Sequence, residues 1–153
     1  TSYGHNVELG WLLNRAADTL GWERTHFNGL IRRLDDHSLA YGFDRELGGV
    51  YRDGVHHGPA LVFDKEWWQN CEALIGYLDT YERTGEEKYA DAFLRTWRFD
   101  KAHFIDPATG EWRQLLRRDG TPIVADLGNP WKAIYHTGRA MLECKRRLER
   151  LRV

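Results

Sequence analysis

Histidine and carboxylate side chains recur in this chain at spacings suited to proton transfer. His5 stands three residues before Glu8 in G-H-N-V-E-L-G-W, so the two share a face if the segment is helical. Glu8, Glu72 in W-W-Q-N-C-E-A-L-I-G-Y and His136 in N-P-W-K-A-I-Y-H-T-G-R are evenly spaced, the step from the first to the second equalling that from the second to the third. Asn6-Val7-Glu8 and Asn70-Cys71-Glu72 also share the pattern N-x-E. Long repeats that open on helices are how helical toroids and solenoids are written, and equivalent positions in them point to one place. Glu8, Glu72 and His136 are therefore expected to converge on a concave centre. Imidazole titrates near neutral pH and serves there as both base and acid. Plainer roles fit the same residues: His5 and Glu8 as a capping pair, His136 as a hydrogen-bonded core histidine, the tryptophans as packing.

The elements that must hold these residues follow from the hydrophobic period. Thr1 to Gly21 reads as a helix with Val7, Trp11, Leu12, Ala16 and Leu20 inward, and Glu23 to Ala40 as a second with Phe27, Leu30, Ile31 and Leu34 inward. The glycine-rich stretch from Tyr41 to Phe63 predicts a β-hairpin over Gly48 to Gly54, ending in an Asp53-Gly54 turn. Asp64 suits the cap of a third helix, with Trp67 and Trp68 in its first turn and Cys71, Leu74, Ile75, Leu78 and Tyr81 along its stripe. Glu86 to about Phe104 predicts a fourth helix, and Glu111 to Asp119 a second hairpin. Pro130 suits the first turn of a fifth helix carrying Ile134, Tyr135, Met141, Leu142, Leu148 and Leu151. Trp131 then lies on a different face from His136, or, if that helix begins late, in the loop above it. The unit of helix, helix and hairpin thus occurs twice and opens a third time.

At 153 residues with 42% apolar content the chain predicts one domain. A net charge of -1 argues against a nucleic-acid partner, and the basic run from Lys145 to Arg152 alternates with Leu148, Glu149 and Leu151 as a solvated helix face does. No stretch approaches the about 18 apolar residues of a membrane span. Cys71 and Cys144 have no framework spacing and read as buried free thiols, so a cytoplasmic protein is expected. Adjacent His56 and His57 lack the spacing of a closed metal site, and neither metal nor cofactor is expected. Seven Trp, seven Tyr and six Phe suit a polar-ligand cleft walled by flat rings.

The segments S-Y-G-H-N-V-E-L-G-W-L-L, K-E-W-W-Q-N-C-E-A-L-I-G-Y-L, G-E-W-R-Q-L-L-R-R-D-G and P-W-K-A-I-Y-H-T-G-R-A-M-L-E-C cover nearly the whole chain. As a set they resemble the N-acylglucosamine 2-epimerase family, which includes cellobiose 2-epimerases and related sugar isomerases. The resemblance implies an all-α fold, an αα-hairpin toroid forming the C-terminal part of an (α/α)6 barrel with short β-hairpin insertions. It implies catalytic roles for His5, His136 and Glu8, and places Trp11, Trp68, Glu72 and Trp131 where the family shapes or contacts its sugar. The family's catalytic arginine and a further histidine belong to an N-terminal half that is absent here. Asn6 departs from the aspartate usual in the cellobiose enzymes, which bears on the substrate subclass.

The implied reaction removes a proton from the carbon beside the carbonyl of a reducing sugar. Return to the opposite face makes a 2-epimerase, and return to the neighbouring carbon makes an aldose-ketose isomerase on the same scaffold. A carboxylate such as Glu8 fixes the tautomer of His5 or opens the sugar ring, and Glu72 holds hydroxyl groups. A non-catalytic carbohydrate-binding or assembly module is the reading from another class. As part of a toroid the chain is expected to expose apolar strips at Val7, Leu12, Met141 and Leu142 and to self-associate, with weak or absent epimerase turnover by itself.

Overall fold

Two glycines at corresponding places in the repeat end the first and third helices. Gly21 (φ 68°) and Gly85 (φ 70°) take the left-handed conformation that side chains avoid, closing α1 (Tyr3–Leu20) and α3 (Trp67–Thr84). The computed structural model describes residues 1–151. Its other helices are α2 (Asn28–His37), α4 (Glu87–Phe99) and α5 (Tyr135–Leu151). Both α2 and α4 widen at their ends into π-helical turns, Ser38–Gly42 and Asp100–Phe104, again at matching places in the two copies.

The hairpins repeat in detail, and the first differs from the sequence reading. Asp53-Gly54 is not a turn but strand β1 (Asp53–Gly54), paired antiparallel with β2 (Ala60–Val62). The tight turn lies earlier, between the bridged residues Phe43 and Val50, because the Asp44 carboxylate accepts the N–H groups of Glu46 and Leu47 at 3.0 and 3.1 Å. In the second copy Ile105 bridges Trp112, and β4 (Leu115–Leu116) pairs with β5 (Pro122–Val124). The pairs Asp53↔Val62 and Gly54↔Ala60 recur there as Leu115↔Val124 and Leu116↔Pro122, each set with a register shift between its two pairs. Strand β3 (Lys65–Glu66) pairs with β4 just before α3, as Ser2 bridges Asp53 just before α1. The hairpins are thereby held at the N-terminal ends of the inner helices α1 and α3.

Helix α3 is the axis of the fold and packs against α1, α4 and α5. It is buried without a break from Gln69 to Thr80, so it has no amphipathic stripe of the kind expected. Its buried amide, carboxylate and hydroxyl side chains are each met by a neighbour, as burial requires. Gln69 Oε1 accepts the N–H of Gly4 at 3.0 Å, and Asn70 Oδ1 accepts that of Val50 at 2.9 Å. Thr80 Oγ1 donates to Asp35 on α2 at 2.5 Å. Asp79 accepts from Asn14 of α1 at 2.5 Å and from Arg147 of α5. Gly4 and Gly76 allow this closeness: a Cβ on Gly4 would stand 2.6 Å from Gln69, and one on Gly76 would collide with Val7.

These pairings rotate α1 away from its expected orientation. Asn14 turns inward to reach Asp79, while Leu12, Ala16 and Leu20 face outward. Val7 is fully buried between α1 and α3 and is no part of an exposed strip; Met141 is half-buried. Leu12 and Leu142 are exposed, at 39% and 57%. Helix α5 likewise buries His136, Thr137, Ala140, Cys144 and Arg147 and leaves Tyr135, Leu142, Leu148 and Leu151 outward; Ile134, just before it, is also exposed. Cys71 and Cys144 are both buried free thiols. No helix among the described residues is long and apolar enough to cross a membrane.

A buried ion pair joins the two hairpins. Lys65 Nζ, fully buried, donates to Asp44 Oδ2 at 3.0 Å and to the carbonyls of Gly48 and Arg118 at 2.7 and 3.1 Å. Arg118 reaches from the second hairpin to both Asp44 oxygens at 3.0 Å. Burial pulls the Lys65 ammonium down to about 8 against the opposing pull of Asp44. Burial pushes the Asp44 carboxyl the other way, but the Arg118 hydrogen bonds, the Leu47 N–H and Lys65 outweigh it and hold the group well below the usual carboxylate range.

Candidate active site

The inner helices α1, α3 and α5 deliver their first turns to one end of the arc. That end carries His5 and Glu8 from α1, Trp67, Trp68 and Glu72 from α3, and Tyr135, His136 and Arg139 from α5. The N-terminal ends of helices carry partial positive charge, which suits a ligand or intermediate that gains negative charge.

Helix α5 begins at Tyr135, five residues after Pro130 and one turn later than the repeat requires. Asn129 is the reason: its Oδ1 accepts the N–H groups of both Trp131 and Lys132 at 2.9 Å, closing a separate turn around Pro130. Trp131 therefore stands in the loop above the helix, 86% exposed. The cavity beneath it has a volume of about 390 Å³ and is lined by His5, Glu8, Glu66, Trp67, Trp68, Gln114, Trp131, Tyr135 and His136. Two histidines flank one indole there: the Trp68 ring lies 4.5 Å from that of His5 and 5.6 Å from that of His136.

Behind the cavity wall, Glu72 is fully buried and collects three donors. His136 Nδ1 lies 2.6 Å from Glu72 Oε1, Arg139 donates to the same oxygen at 2.7 Å, and Trp11 Nε1 donates to Oε2 at 2.9 Å. A neutral His136 that donates to an ionised Glu72 would carry its proton on Nδ1 and its lone pair on Nε2. Arg139 also donates to Glu8 Oε1 at 2.8 Å, and its guanidinium lies over the rings of Trp11 and Tyr135 at 5.0 and 5.3 Å. The ligand atoms of Glu8, Glu72 and His136 lie within 4.8 Å of one another, a spacing able to hold a cation. Here the Arg139 guanidinium bridges the two carboxylates.

Of the residues singled out from sequence, His5, Glu8, Trp68, Trp131 and His136 line the cavity. Trp11 and Glu72 stand behind it, buried, with the Trp11 indole N–H donated to Glu72 and the Glu72 carboxylate also met by His136 of α5. The carboxylate that orients a histidine is Glu72 on His136, whereas Glu8 is turned to Arg139. Asn6 points away, toward His37 Nδ1 of α2 at 3.2 Å, so its difference from aspartate concerns how α1 and α2 are joined. Arg139, Tyr135, Trp67, Glu66 and Gln114 were missed. The first had a signal, since the same even step that links Glu8, Glu72 and His136 also links Trp11, Ile75 and Arg139, about one turn deeper. Gln114 had none, being brought in by the pairing of β3 with β4.

The chain as a whole has similar sequences and folds among known proteins. The chain is 30% identical over 146 residues to a cellobiose 2-epimerase of Ruminococcus albus, covering 93% of the chain and 36% of that relative. It is 32% identical over 154 residues to an N-acylglucosamine 2-epimerase of Bos taurus, covering 97% of the chain and 36% of that protein. It thus spans little more than a third of these relatives' length. The crystal structure of a D-mannose isomerase superposes with a TM-score of 0.86 at 23% identity, over 95% of this chain and 37% of that one, and shares the fold. Residues 1–140, which carry every side chain of the cavity, match the family model described as N-acylglucosamine 2-epimerase (GlcNAc 2-epimerase), and to that family the chain belongs.

Proposed function

We propose that this chain forms the acid-base wall of a sugar 2-epimerase site that works on a reducing sugar without a cofactor. The observation that carries the reading is the pair of histidines on either side of Trp68, with Glu72 Oε1 2.6 Å from Nδ1 of one of them, a contact suited to holding the ring proton there and leaving Nε2 free. His136 Nε2 takes the proton from C2 of the open-chain aldose, and the C–H electrons form the enediolate while the carbonyl π electrons move to O1. The charge on O1 develops near the N-terminal ends of three helices. His5 then gives a proton to C2 from the other face, and the electrons on O1 restore the carbonyl. The indoles of Trp68 and Trp131 supply apolar faces for the sugar. The names of the matched relatives, cellobiose 2-epimerase and N-acylglucosamine 2-epimerase, support 2-epimerisation. We assign His5, His136 and Glu8 to the chemistry, Trp68 and Trp131 to the sugar, and Trp11 and Glu72 to support from behind. The residues form one domain that contributes the C-terminal part of an (α/α)6 barrel.

The test is deuterium incorporation at C2 of cellobiose, mannose and N-acetylglucosamine in heavy water, read beside quenching of tryptophan fluorescence by the same sugars. Quenching together with slow exchange at C2 supports the proposal. Sugars that neither quench nor exchange remove it, and quenching with no exchange in its place supports a binding module.

The two flanks of the arc bear on assembly. Leu9, Leu12 and Leu20 of α1 are exposed, as are Leu142, Leu148 and Leu151 of α5. A groove of about 570 Å³ between α4 and α5 is lined by Leu74, Phe93, Trp97, Met141, Cys144 and Leu148, among others. Apolar surface of this kind is favourably covered, and a second copy of the chain can cover it. Sedimentation velocity is expected to show an oligomer that Leu142→Glu with Leu148→Glu converts to monomer. A wild-type monomer at millimolar concentration would remove self-association.

A further inference from the structure

We propose that Arg139 is a positioning residue that sets which nitrogen of His136 carries the proton, acting through Glu72. This rests on the reading of His136 as the acid-base group. The geometry is specific. One terminal nitrogen of Arg139 donates both to Glu72 Oε1 at 2.7 Å and to Glu8 Oε1 at 2.8 Å, and the same Glu72 oxygen faces His136 Nδ1 at 2.6 Å. Glu72 is fully buried, and the Glu8 side chain is 18% exposed. Two carboxylates this close and this dry repel each other strongly, and without a cation between them they hold a proton in common. A proton on Glu72 turns its contact with His136 around. The carboxylic acid donates to Nδ1, the ring proton moves to Nε2, and Nε2 becomes a donor instead of a base. The guanidinium prevents this by keeping both carboxylates ionised. It is itself held by the faces of Trp11 and Tyr135, at 5.0 and 5.3 Å from its central carbon. No atom of Arg139 needs to touch the sugar for this role.

The experiment is nitrogen-15 NMR of the His136 ring at neutral pH in the wild-type chain, R139K and R139Q, each checked for a dispersed amide spectrum. The wild type and R139K are expected to show a protonated Nδ1 and a pyridine-type Nε2, and R139Q to show the two signals exchanged between the nitrogens. A residue that merely fills space leaves the tautomer unmoved. An unchanged tautomer in R139Q, an exchanged one in R139K, or a protonated Nε2 in the wild type overturns the proposal. If R139Q does not fold, the double variant R139Q/E8Q serves in its place, because it removes the like-charge pair together with the cation. It is expected to keep the proton on Nδ1, and a proton on Nε2 in it overturns the proposal. These outcomes concern the ring alone, so they are separate from failure of the epimerase reading, which shows as C2 exchange that does not depend on His136.

Discussion

His136→Ala is expected to lower C2 hydrogen exchange on a reducing sugar by roughly 10²–10⁴-fold, the usual contribution of a positioned general base. The fold should survive. Removing the imidazole takes one of three donors from Glu72, and Arg139 and Trp11 continue to satisfy it. Sugar quenching of tryptophan fluorescence should also persist, since Trp68 and Trp131 line the cavity from other segments. The measurement is deuterium incorporation in heavy water, compared between wild type and variant at equal concentration. Unchanged exchange in a folded His136→Ala protein excludes His136 as the acid-base group and directs attention to His5.

Asp44→Ala is expected to cost about 3–5 kcal/mol of stability in urea denaturation, because it takes from the buried Lys65 ammonium the carboxylate it is hydrogen-bonded to. The two hairpins also lose their shared anchor, since Arg118 reaches across to the same carboxylate. The pH dependence has a definite sign. The Asp44 carboxyl is held below its ordinary range in the folded state, so the unfolded chain binds the proton at higher pH. The stability from this group is complete above about pH 4, the ordinary aspartate value. It is lost as the pH falls below that value toward the lower folded one. The wild type should therefore weaken through this acid window more steeply than Asp44→Ala. A loss of less than about 1 kcal/mol at neutral pH would place the pair among weak surface bridges instead.

The repeat was the most legible part of this chain. Its even step joined Glu8, Glu72 and His136, and Gly21 ends α1 where the sequence suggested. Helix faces were less legible, for a physical reason. Hydrophobic period assigns apolar residues inward, but Asn14, Asp79 and Arg147 are buried in hydrogen bonds whose partners lie on other helices, far away along the chain. One sequence offers no sign of such a partner. Leu20 and Leu148 were placed with the apolar residues of their helices but are exposed, whereas Leu12 and Leu142, placed there too by period, are exposed as the strips expected of part of a toroid. The first hairpin was misplaced because Asp53-Gly54 and Asp44 carry competing turn chemistry, and Asp44 prevails through its two backbone hydrogen bonds. The late start of α5 was open from sequence, and Asn129 decides it.

Glu72 and Asp79 lie seven residues apart on α3, two turns or about 10 Å along its axis. Each is gripped from both sides, Glu72 by Trp11 of α1 and by His136 and Arg139 of α5, Asp79 by Asn14 of α1 and Arg147 of α5. A rod pinned once can pivot about the pin; pinned twice it cannot. The three inner helices therefore behave as a riveted frame, and that frame sets the distance between His5 and His136. On the proposed epimerase reading, accommodation of longer or shorter sugars falls to what is not riveted: the loop that carries Trp131 and the hairpin segment that brings Gln114. Variation in which sugar is accepted should accumulate in those two segments, while the frame changes little.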